Sequence, residues 1–115
     1  MDDSDREALV AAFRVLGDLT RLRILDALME GVHCNCEIAE RLGLSLSLIS
    51  HHLGVLQRAG FIEGAQAEED ARWIYYSVNQ ERIADLRAAM DRFLDVKRIK
   101  PRLPSCGPAK ARGSC

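Results

Sequence analysis

CNCEIAERLGLSLSLISHHLGVLQRAGFI, residues 34–62, sets two helical patterns around a tight turn, with a pair of thiols at its start. In the first half Ile38 and Leu42 stand four apart, and Gly43 occupies the stop position of a helix. Cys34 and Glu37 have the spacing of a capping box, so a thiol stands where a Ser or Thr hydroxyl normally caps. Ser45 can cap the next helix, which turns Ile49, Leu53 and Leu56 inward and ends at Gly60. Two short helices joined by a turn containing Gly43, the second exposing Ser47, Ser50 and His51, form a helix-turn-helix pattern.

Outward from this stretch, helical spacing predicts two preceding helices. One runs over residues 5–16 with Leu9, Phe13 and Leu16 in a stripe and acids in its first turn. Val10 and Ala12 lie off that stripe, the pattern of a helix covered on more than one face. The other runs over residues 20–29, capped near Thr20, with Leu22, Leu25 and Met29 on its core face and Ile24 and Leu28 alongside.

After the recognition helix the period changes. Residues 61–67 and 71–78 read as two strands of a hairpin around Glu68, Glu69 and Asp70, the placement of a wing. Asn79 then caps a last helix to about Arg98, striped by Ile83, Leu86, Met90, Phe93 and Leu94. A domain this small leaves little for that stripe to cover, so the first and last helices are assigned to a symmetric dimer interface. The fold class is mainly α with a small β-hairpin: a winged helix-turn-helix of three helices, a recognition helix, two strands and a final helix.

With 115 residues and 48% apolar residues the chain fits one globular core. Residues 1–98 form the DNA-binding and dimerisation domain. Residues 99–115 hold all three prolines and no periodicity, and are read as a flexible basic tail. The formal net charge of −1 gives no global basic field. Six of the 16 Lys and Arg lie from Lys97 onward, where no acid occurs, leaving ten against 17 acids before it. An acidic N-terminus, and no apolar run approaching the roughly 18 residues of a membrane span, point to a cytoplasmic location without membrane association. In that compartment the four cysteines are reactive or metal-binding rather than disulfide-paired.

LGDLTRLRIL at 16–25, CxCE at 34–37, SHHLGVLQRAG at 50–60 and RWIYYSV from Arg72 together resemble the ArsR/SmtB family of arsenic- and metal-sensing repressors, in its arsenic-sensing branch. The resemblance covers roughly residues 8–94. It implies a homodimeric winged helix that holds palindromic double-stranded operator DNA and leaves it when a ligand binds. Cys34 and Cys36 match the family's Cys-x-Cys ligand pair, which the cadmium and lead sensors share. A third thiol within the same helix is absent here, since residues 39–42 contain none. The family's zinc site on the last helix is also unmatched, because no His follows His52.

As(III), Sb(III), Cd(II) and Pb(II) prefer thiolates, and the positive end of a helix favours the anionic sulfur. Residues i and i+2 diverge by about 200° on a helix but share a side in extended chain. Both cysteines can therefore hold one ion only if the helix begins near or after Cys34. The expected inducer is As(III) or Sb(III), with Cd(II)/Pb(II) sensing as the alternative, and no organic cofactor. A tail thiol completes the site: Cys106, with Cys115 as the alternative. The plainer reading of all four is that of incidental thiols, and a further rival is a redox sensor whose cysteines oxidise to disulfide.

Ser45, Ser47, Ser50, His51, His52 and Arg72 are the candidate DNA contacts. His52 also reads as a packing residue and Arg72 as a solvated strand charge, while the acids at the wing tip would repel the DNA backbone. An enzyme is not indicated: the histidines fall in or near the DNA-reading segment, and no nucleophile, base and orienting acid come together.

Overall fold

The computed structural model describes residues 1–31 and 33–102. Helix α1, Asp3–Leu16, begins two residues earlier than its apolar spacing requires. Asp2 and Asp5 form a reciprocal capping box there: Asp5 N–H donates to Asp2 at 2.9 Å and Asp2 N–H to Asp5 at 3.1 Å. Helix α2, Leu19–Met29, is capped by Asp18 rather than Thr20, because the Asp18 carboxylate accepts the Arg21 N–H at 3.0 Å. Its buried face also differs from the expected one. Ile24, Leu25 and Leu28 are buried, whereas Leu22 and Met29 are about half exposed. The helix packs on both a later helix and the sheet, which centres its buried arc between Ile24 and Leu28.

Strand β1, His33–Cys34, leads directly into helix α3, Asn35–Leu42. Gly43 ends α3 in the left-handed conformation, φ +69°, and Leu44 N–H returns to the Ala39 carbonyl at 3.1 Å. Ser45 then caps helix α4, Leu46–Arg58, by accepting the Leu48 N–H at 3.1 Å. Gly60, φ +83°, delivers the chain to strand β2, Ile62–Gln66, which forms a hairpin with β3, Ile74–Val78.

The wing is a three-stranded antiparallel sheet in the order β1-β3-β2, not a bare hairpin. In β1, His33 pairs with Tyr76 and Cys34 with Tyr75. A two-residue strand has no alternation to read, which is why the hairpin alone was expected. Helix α5, Gln80–Phe93, stops five residues short of the expected end; Asp95 caps a separate 3-10 turn, Val96–Arg98.

Ile24, Ile38, Ile49, Leu53, Leu56, Phe61 and Ile62 make the centre of the core, each at 0 or 1% exposure. Each contributes roughly 1.5–3 kcal/mol by burial. Five of the seven come from α3, α4 and the start of β2, so the core sits behind the helix-turn-helix and holds it against α2.

Candidate nucleic-acid interface and thiol pair

Helix α4 has two faces of opposite character. Ile49, Leu53 and Leu56 are fully buried, while Ser47, Leu48, Ser50 and His51 project to solvent with Ser45 and Leu46 at the helix start. The Ser45 oxygen accepts from Leu48 N–H, leaving its hydroxyl proton to donate outward. Successive residues step by 100°, which places Ser47, Ser50, His51, Gly54 and Arg58 on one outward arc opposite that apolar seam. This arc offers small polar donors and acceptors of the kind that read base edges or grip phosphates.

His52, grouped by sequence with the DNA-facing residues, is instead 8% exposed and turned inward. Its Nδ1 lies 3.2 Å from the Arg21 guanidinium, and its ring meets His51 edge-on at 5.3 Å. Arg21 also donates to the Val15 carbonyl at 2.5 Å and the Arg14 carbonyl at 3.4 Å. It thereby ties the end of α1 and the start of α2 to the middle of α4. Nothing in the local sequence signals this role, because its partners lie up to 31 residues away.

On the wing, Arg72 is exposed but engaged. Its guanidinium contacts both oxygens of Asp70, the closest at 2.6 Å, and its N–H donates to Asp70 at 3.0 Å. The side-chain hydrogen bond from Arg72 holds the Asp70 carboxyl below the usual range, and the same pair raises the guanidinium. The charge available from Arg72 is therefore offset within the wing. Glu68 and Glu69 are exposed beside it, as are Trp73, just before β3, and Tyr75 on β3.

At the start of α3 the two thiols are divided. Cys34 is buried at 1% exposure, with extended backbone (φ −82°, ψ 157°), and its sulfur accepts the Glu37 N–H at 3.4 Å. The thiol thus serves as the helix cap. The reciprocal half of the capping box is replaced: the Glu37 carboxylate lies 3.5 Å from Nδ1 of His33. Cys36 is exposed, and its N–H donates to the Asn35 side chain at 3.0 Å. The helix begins immediately after Cys34, as a shared ion would need. Among the described residues, however, no three His, Cys, Asp or Glu side chains come together as a metal site. Beside the pair, Nε2 of His33 is buried with no hydrogen-bond partner among the described residues. Cys106 and Cys115 lie outside the described residues. The thiols suit a soft ion in donor type, and Cys34 already serves as the cap of α3.

No helix among the described residues is long and apolar enough to cross a membrane. A profile of the bacterial regulatory protein arsR family matches residues 18–63. An uncharacterized HTH-type transcriptional regulator of Methanocaldococcus jannaschii is 34% identical over 86 residues, covering 74% of this chain and 93% of the relative. The cadmium resistance transcriptional regulatory protein CadC of Listeria innocua is 31% identical over 83 residues, covering 71% of this chain and 67% of the relative. A solved structure described as a possible transcriptional regulator for arsenical resistance superposes with a TM-score of 0.64 at 32% identity, covering 74% of this chain and 85% of that one.

Proposed function

The chain belongs to the ArsR family of bacterial transcriptional regulators, DNA-binding repressors rather than enzymes, and from that premise we propose that it is a homodimeric repressor released from operator DNA by As(III) or Sb(III). Cys34 carries the reading. It is at once the cap of α3 and the β1 residue paired with Tyr75 of β3, so it joins the helix that precedes the recognition helix to the wing sheet that follows it. A soft ion held by Cys34 and Cys36 would compete with the Glu37 N–H for the Cys34 sulfur and strain the pairing of β1 with β3. Helix α3 then shifts against Gly43 and the start of α4, and the grip on DNA weakens. Cys106 supplies the third thiolate, with Cys115 as the alternative. Ser45, Ser47, Ser50 and His51 contact the operator, and His52 positions the helix from behind.

One observation favours the Cd(II)/Pb(II) alternative. His33, adjacent to Cys34, offers an imidazole nitrogen without a hydrogen-bond partner among the described residues, a donor that a divalent ion accepts more readily than As(III) does. The cadmium-linked name of the Listeria relative supports the same alternative.

Operator binding decides between these readings when wild type, Cys34→Ser, Cys36→Ser and Cys106→Ser are each challenged with arsenite, antimonite, Cd(II), Pb(II) and peroxide. Arsenite should release wild type and leave the first two variants bound. Release by Cd(II) or Pb(II) alone selects the alternative. Release by peroxide alone selects oxidation of the thiols and ends the metalloid reading.

A further inference from the structure

Gly54 lies at the centre of the outward arc of α4, one turn beyond Ser50 and His51. A glycine inside a helix costs about 1 kcal/mol relative to alanine, so its presence in the middle of a 13-residue helix calls for a local reason. Its backbone is ordinary helix, and the left-handed glycines of the chain are elsewhere. Space supplies the reason. A Cβ built at position 54 would stand 3.2 Å from Nη1 of Arg58 and 3.9 Å from both Cζ and Nη2. The guanidinium is folded back one turn toward the helix N-terminus and packs closely over Gly54, so a Cβ there would push it outward by a few tenths of an ångström. Helix geometry tilts side chains in that direction.

This posture carries the charge of Arg58 back over Gly54, one turn short of Ser50 and His51. Of the outward arc, Arg58 alone is permanently charged. It forms no ion pair among the described residues, whereas Arg72 of the wing is engaged by Asp70. We propose that Arg58, seated on the bare backbone of Gly54, is the guanine-reading side chain of the recognition helix. The inference rests on the assignment of α4 as the DNA-reading helix and adds a specific base to it. A planar guanidinium with paired N–H donors matches O6 and N7 of guanine, whereas serine hydroxyls serve any base.

The test uses the full chain without inducer and the duplex that wild type enriches from a randomised library. Arg58→Ala should bind that duplex about 5- to 150-fold more weakly and lose its preference for guanine at one position of each half-site. Arg58→Lys should keep most of the overall affinity and still lose the preference. Gly54→Ala should melt at a higher temperature than wild type yet bind more weakly, and this loss should vanish when Arg58 is already alanine. Equal weakening on every sequence, with a salt dependence reduced by about one phosphate, would make Arg58 a backbone contact and overturn the inference. So would wild-type affinity in Gly54→Ala. If wild type enriches no duplex, the DNA-reading premise fails and the inference with it; if Arg58→Ala enriches the wild-type sequence unchanged, only the inference fails.

Discussion

Cys34 answers to two neighbours at once, accepting the Glu37 N–H through its sulfur and pairing its backbone with Tyr75. Serine is a better helix cap than cysteine and nearly the same shape, so Cys34→Ser should keep the fold within about 1 kcal/mol while abolishing ion-induced release. Thermal melting and operator titration with arsenite read the two effects separately. A release response retained in a well-folded Cys34→Ser protein would remove this thiol from the sensor. Gly64 shows a different dependence on its surroundings. It pairs with Tyr76 across the wing, and a Cβ at position 64 would come within 2.9 Å of Cε1 and 3.2 Å of Cδ1 of that ring. The ring is itself buried against the core and cannot swing aside. Gly64→Ala should therefore destabilise the protein by about 1–3 kcal/mol, measured by urea denaturation.

Among the elements, α4 depends on its two ends. Ser45 supplies the cap that orders the first turn, where the candidate DNA contacts begin. Ser45→Ala should lower stability by about 1 kcal/mol and weaken operator binding, because the fraying turn carries Ser47 and lies next to Ser50. Equal operator affinity in variant and wild type would show that this turn does not touch DNA. Helix α2 carries a pH signature at its start. The Arg21 N–H, followed by the Arg21 charge, holds the half-buried Asp18 carboxyl below its ordinary value of 3.8. A depressed carboxyl contributes stability above its unfolded value and loses it as pH falls through the folded one. The melting temperature of wild type should thus fall more steeply below pH 3.8 than that of Asp18→Asn, whose amide caps without titrating. Parallel acid profiles for the two proteins would rule out this contribution.

For the whole molecule, α1 packs on α5, and both helices and the turn after them still expose large apolar side chains: Val10 and Phe13 on α1, Phe93 and Leu94 at the end of α5, and Val96 and Ile99 beyond. Surface of this kind on adjoining elements is what a second copy would cover in the proposed symmetric dimer. Leu94→Asp should give a folded monomer in sedimentation and reduce operator affinity by orders of magnitude, since a single winged helix reaches only one half-site. A dimer that survives both Leu94→Asp and Phe13→Asp would place the interface elsewhere.

Much of this architecture was legible in the amino-acid order, because short-range rules govern it. Gly43 and Gly60 stop helices, Ser45 and Asn79 start them, and the spacing of Ile49, Leu53 and Leu56 fixes which side of α4 faces inward. The Cys34 cap was legible for the same reason, being a contact across three residues. Other features depend on partners far apart in the chain. The burial of His52 under Arg21, the pairing of β1 with β3, and the exposure of Leu22 and Met29 follow from which surfaces meet. Sequence by itself determined the helix-turn-helix and its sulfur cap, since both arise within one or two turns of backbone. Only tertiary packing decided that Cys34 is buried against the wing while Cys36 faces solvent, because that division is set by a strand pairing some 40 residues distant.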